Sequence, residues 1–160
     1  MIQFHKRSRG RQRGIAAIEF ALILPVLVFV LVITAFFGRV FWHYTVAVKA
    51  ANDTAIFLAT VPRSEIAVSK PDLGEVEIVK MARTIGQLEV SELKPGSGFH
   101  PPVDISCDGY TCRGESVPNQ IGVLVTMNVT DPVFAAFTGD FLDYGGITLH
   151  AEVKVQYVGN

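Results

Sequence analysis

Glu19 is the side chain with the most unusual surroundings. It is the only charged residue among the 23 from Ile15 to Phe37. A carboxylate at the middle of a membrane span costs about 2.5–3.5 kcal/mol, less near an interface, and such a group normally has a partner. Two chemistries fit. Five residues into the run, Glu19 can reach the headgroup layer and be satisfied there by water or lipid. Alternatively, it can meet a cation at the same depth. The basic residues of this chain precede the run, so they belong outside the hydrocarbon. A cut after Gly14 would supply a different cation, the free α-amino group of Ile15. In a neighbouring copy or homologue shifted along the axis, that amine would face Glu19. Glu19 would then set register in an assembly and would not act as a catalytic acid.

Cys107 and Cys112, in CDGYTC, are the second candidate for chemistry. The turn pair Asp108-Gly109 between them lets a small hairpin close on a disulfide, provided the compartment is oxidising. Two cysteines without nearby histidines are too few for a metal centre. Their spacing is not the C-x-x-C of a redox pair. His100 and His150 are far apart and lack a matching carboxylate and nucleophile. His150 falls on the polar side of an alternating segment, where a solvated histidine is the plain reading. The Gly-Ser-Gly at 96–98 lies in a proline-rich loop without the rest of a phosphate-binding motif, and no nucleophile elbow or H-E-x-x-H is present. Asn52-Asp53-Thr54 and Asn128-Val129-Thr130 match a glycosylation acceptor, which is a short and weak signal. The expectation is a protein with no enzymatic activity, cofactor or metal.

The elements that position these residues follow from composition. A length of 160 residues suggests one ordinary domain with appendages. Fourteen basic and fifteen acidic residues nearly balance. Five of the basic ones, Lys6, Arg7, Arg9, Arg11 and Arg13, crowd into the first 13 residues. No aromatic residues interleave with them to stack on bases, so nucleic acid is not the expected partner. They read as a cytoplasmic flank. Residues 15–37 read as a membrane helix of roughly 35 Å, enough to cross a hydrocarbon core of about 30 Å. The run is longer than the apolar core of a secretory signal peptide, and no small-residue cleavage site follows it. Only Arg39 and Lys49 lie close beyond it, so the N-terminus stays inside and the rest is exported. Trp42 and Tyr44 sit where amphipathic aromatics suit a membrane interface.

The helical pattern continues over 38–61. Phe41, Tyr44, Val48, Ala51, Ala55 and Leu58 form one narrow apolar stripe, expected to pack mainly on the protein's own domain. Neighbouring subunits could share it. Pro62 ends the helix and opens a linker over 62–74. Asp72 could cap a second helix over about 74–88, with Ile78, Met81, Ala82, Ile85 and Leu88 on its apolar face. After a Gly- and Pro-rich loop the period changes to two. Val103, Ile105 and Cys107 make a short strand. Ile121 to Val129 and Ile147 to Tyr157 alternate apolar and polar residues as two longer strands. Between them, DPVFAAFTGDF reads as a short helix with Pro132 at its first position. Residues 62–160 therefore form an exported α+β domain whose antiparallel sheet covers helices with one apolar face.

The basic leader, Gly14, the four residues after it, Glu19-Phe20 and the long apolar run together resemble type IV prepilins. RGIAAIEFALILPVLVFVL in particular resembles the start of TadE-like minor pseudopilins of the tight-adherence (Tad) pilus system. Related TadF-like and TadG-like members begin similarly. The resemblance covers about residues 6–37. It implies that residues 1–14 are a leader, removed by a prepilin peptidase between Gly14 and Ile15 on the cytoplasmic side. Glu19 and Phe20 would serve assembly or recognition. The mature chain would be a minor subunit of a type IVc (Flp-type) pilus, supporting surface adhesion. Its partners would be prepilin peptidase, other pilins and minor pseudopilins, the inner-membrane assembly platform and membrane lipid. It would cross the bacterial inner membrane once, with its domain in the periplasm, and join the pilus on assembly. The competing expectation is an uncleaved, single-pass anchored periplasmic protein that binds a ligand or partner.

Overall fold

The computed structural model describes residues 13–68, 74–91, 93, 102–130 and 146–159. Asp72, His100 and the helix expected over 131–141 lie outside them. The chain divides into two compact units, Met1–Gly38 and Arg39–Asn160.

Helix α1 runs Arg13–Thr60 and contains Pro25. Proline removes one backbone donor and crowds the preceding turn, yet the α-helix continues through it. In the first unit the large apolar side chains from Ile18 to Leu31 are all exposed. An apolar helix exposed on every side is suited by length and composition to cross a membrane.

The second unit is α+β. The last part of α1 is followed by α2 (Arg63–Ile66) and α3 (Glu77–Ser91). Four strands complete it: β1 (Val103–Cys107), β2 (Tyr110–Thr111), β3 (Gln120–Thr130) and β4 (Gly146–Gln156). They form one antiparallel sheet in the order β2-β1-β3-β4. The register pairs Ile105 with Val123, and Val123 with Val153. Period-two alternation thus places the apolar residues of three strands on one face. Val103, Ile105, Ile121, Val123, Val125, Met127, Val129 and Ala151 are buried there. Each fully buried Val, Ile or Met side chain contributes about 1.5–3 kcal/mol relative to exposure. The opposite face carries Asp104, Ser106, Thr126, His150, Glu152 and Lys154. His150 is exposed, with its Nδ1 3.3 Å from Thr126 Oγ1.

Three details differ from the sequence expectation. On α1 the buried positions are Val40, His43, Ala47, Ala50, Ala51, Thr54, Ala55, Leu58 and Ala59, while Phe41 and Tyr44 are exposed. On α3 the buried residues are Val79, Ala82, Gly86 and Val90. Met81 and Leu88, expected on the apolar face, are 57% and 62% exposed. The reason is the same for both helices. Where α3 meets α1, at Gly86 and Thr54, the close approach leaves room only for small side chains, and Phe41, Tyr44, Met81 and Leu88 stay exposed. Finally, the expected linker contains α2, which follows Pro62 directly.

Candidate functional site

The residues with a predicted role fall in two separate places. Gly14, Ile15, Glu19 and Phe20 all lie in the first two turns of α1. Glu19 and Phe20 are both exposed. Glu19 makes no ion pair with another described residue. Four positions along one helix set the spacing between Ile15 and Glu19, about 6 Å of rise.

The second place is the β1-β2 hairpin. Asp108 and Gly109 have φ values of +52° and +85°. Both turn residues are thus left-handed, as a two-residue type I′ turn requires, and an Asp-Gly pair meets that need. Cys107 pairs with Tyr110 across the turn. Cys107 and Cys112 are joined by a disulfide with 5.0 Å between their Cα atoms. The Asp108 carboxylate accepts hydrogen bonds from the backbone N–H groups of Asn119 (3.0 Å) and Gln120 (2.8 Å). Its own N–H donates to the Gln120 carbonyl at 2.8 Å. One residue therefore makes the turn and fixes the start of β3. The Cys112 carbonyl accepts from Val76 N–H at 3.4 Å, which ties the hairpin to the segment leading into α3.

Two open clefts flank this region. One, of about 440 Å³, is lined by Ile66, Tyr110, Arg113, Glu115 and Pro118 among others. The other, of about 690 Å³, lies between Glu65, Glu75, Glu77, Lys80 and Arg113. Its charges are largely matched within the protein. Glu75 pairs with Arg83, whose Nε also donates to the Val103 carbonyl at 3.0 Å. Lys80 lies 2.6 Å from Glu77, and that hydrogen bond holds its amine above the ordinary lysine pKa. Lys49 is raised in the same direction, first by its hydrogen bond to Asp53 and then by Glu89. Among the described residues no group of three or more His, Cys, Asp or Glu side chains could hold a metal.

The segment holding the first set of residues is the part with a family match. Residues 14–55 match the family model described as TadE-like protein. The chain carries a TadE-like segment. That family points to a component of Tad pili. The TadE-like segment includes Gly14, Glu19 and Phe20, and it extends into the part of α1 that belongs to the second unit. No curated protein and no solved structure gave a match. The hairpin, its clefts and the sheet lie outside the TadE-like segment.

Sequence reasoning missed one arrangement altogether. The chain after β4 returns to the end of α1. Val158 N–H donates to the Ala59 carbonyl at 3.0 Å, and Tyr157 O–H donates to the Val61 carbonyl at 2.7 Å. Arg63 Nε donates to the Gly159 carbonyl at 3.3 Å. No motif marks this clasp, because all three of its bonds go to backbone carbonyls that any residue supplies. The tyrosine hydroxyl near the end of an apolar alternation was its only visible signal.

Proposed function

We propose that this protein is a minor pseudopilin of a Tad-type (type IVc) pilus. In this reading a prepilin peptidase cuts between Gly14 and Ile15 on the cytoplasmic side. The remaining helix holds the protein in the bacterial inner membrane, with the domain in the periplasm, until it joins the pilus. Glu19 of one subunit then meets the free α-amino group of a neighbour. Both charges are costly in hydrocarbon when alone, so each favours the assembled state. Phe20 occupies the aromatic position beside the carboxylate. The chain works as a structural subunit in initiating or assembling the fibre, and through it in adhesion. It has no catalytic role, cofactor or nucleic-acid partner. Its partners are the peptidase, other pilins and minor pseudopilins, and the assembly platform.

What supports the reading is the TadE-like match over residues 14–55, which takes in Gly14, Glu19 and Phe20 together. The exposed, apolar first part of α1 agrees with it. The test is the intact mass and N-terminal residue of the membrane-extracted protein, from cells with and without prepilin peptidase. A chain that begins at Ile15 only when the peptidase is present is the expected result. A chain that begins at Met1 in both would leave an uncleaved anchored interaction protein instead.

A further inference from the structure

Just past the membrane-length run, α1 presents two different sides within the second unit. Val40, His43 and Ala47 are buried. Phe41, Trp42 and Tyr44 are 67%, 66% and 44% exposed. The buried residues recur at helical spacing and form the side that the domain covers. The aromatic residues lie on the exposed remainder of the circumference, together with Arg39 and Thr45. Trp42 and Tyr44 each have an apolar ring and one polar hydrogen, and neither makes a hydrogen bond to another described residue.

We infer that Phe41, Trp42 and Tyr44 form a lipid-docking face that sits in the headgroup layer. The inference rests on the membrane-anchored part of the proposed function. Three observations favour lipid as the occupant. The aromatics lie only four to seven residues beyond Phe37, where the apolar run ends. Rings with a polar tip suit a zone that is apolar on one side and wet on the other. The next cation outward, Lys49, is held by Asp53 at 3.0 Å and Glu89 at 3.3 Å. Its charge is therefore already matched by two carboxylates of the protein. The contact works by insertion of aromatic rings and does not need anionic lipid.

Trp42 is the only tryptophan in the chain, so its fluorescence reports this face alone. The full chain is reconstituted into phosphatidylcholine vesicles and separated by flotation. Trp42 is then probed with aqueous iodide and with lipids brominated at shallow or deep acyl positions. The expected result is emission shifted to the blue, strongest quenching by shallow bromines, and iodide quenching several-fold weaker than for free tryptophan. Adding anionic lipid leaves this pattern unchanged. The variant carrying Phe41→Ser and Tyr44→Ser still floats but shows several-fold stronger iodide quenching. A floating protein whose Trp42 is quenched by iodide as free tryptophan is would overturn the docking face while leaving the anchor intact. Protection from both quenchers would mean that protein, such as a second copy, covers the face, and would equally overturn it. A chain that does not float would remove the anchor itself.

Discussion

Gly86 of α3 lies against the hydroxyl of Thr54 on α1. A Cβ placed on Gly86 would sit 2.6 Å from Thr54 Oγ1, with Val103 methyls behind it at 3.5 and 3.6 Å. Thr54 is fully buried, and its hydroxyl has no hydrogen-bond partner among the described residues. The contact fixes how closely the two helices can pack. Glycine within a helix costs about 1 kcal/mol relative to alanine, so this position gives up local stability for close approach.

Gly86→Ala should therefore destabilise the protein despite its better helix propensity. Overpacking a buried contact costs about 1–3 kcal/mol, and a β-branched neighbour such as Thr54 has few rotamers in which to yield. With Thr54→Ala as background the obstruction is gone. Gly86→Ala should then be neutral or stabilising by up to about 1 kcal/mol. Urea unfolding of the four proteins in detergent measures the cycle. Equal effects in both backgrounds would mean that the two residues do not press on each other.

The clasp after β4 gives a second prediction. Tyr157→Phe keeps the ring and removes only the hydrogen bond to the Val61 carbonyl. The expected loss is about 1 kcal/mol, the ordinary net value of one such bond. The bond from Val158 to the Ala59 carbonyl satisfies one of the orphan acceptors at the end of α1. Loosening the clasp should therefore speed amide exchange in the last turn of that helix before the sheet is affected. Hydrogen-exchange mass spectrometry would read this. Unchanged protection over residues 57–66 would argue that the clasp is incidental.

Much of the architecture was legible because it depends on repeating patterns. Ile121 to Val129 and Ile147 to Tyr157 follow a period of two, broken at Leu124, and β3 and β4 pair them with Val123 opposite Val153. Asp108-Gly109 identified a hairpin by turn chemistry alone. What remained hidden depended on fit. Helical spacing pointed to Phe41, Tyr44, Met81 and Leu88 as core, whereas Ala47, Ala50, Thr54 and Gly86 are buried. Close helix packing favours small residues, and no single-helix pattern states how near its neighbour will come. The four residues of α2 are too short to show any period. For the candidate site, the leader motif and Glu19 could be read at once, since a charge in an apolar run is a local anomaly. The role of Asp108 in holding the start of β3 could not, because its partners Asn119 and Gln120 are 11 and 12 residues away.

The disulfide allows a chemical test of compartment and fold together. Alkylation of the protein in intact cells without reductant should label neither Cys107 nor Cys112, and after reduction both should react. Replacing both by serine should cost about 2 kcal/mol, the chain-entropy value for so short a loop. The cost should show as a lower unfolding midpoint with the sheet retained, since Asp108 still makes the turn. Full labelling before reduction would place the hairpin in a reducing compartment and contradict the exported topology.

Glu19 provides the sharpest distinction between assembly and anchoring. Removing a carboxylate from an apolar helix lowers the cost of insertion, so Glu19→Ala should enter the membrane at least as well as the wild type. If the carboxylate pairs with a neighbour's α-amino group, the same change leaves that amine uncompensated in lipid. Removing one member of a buried pair typically costs 3–5 kcal/mol, about 10²–10³ or more in an assembly equilibrium. The mutant should therefore be present in the membrane at normal abundance while the pilus is lost. Glu19→Asp provides a control for charge against reach, with the carboxylate kept but drawn back by one methylene, and it should restore assembly only in part. Counting surface pili by electron microscopy, with membrane abundance measured by immunoblot, separates the outcomes. Normal pili with Glu19→Ala at wild-type abundance would sink the pairing and return Glu19 to the headgroup layer as a solvated charge.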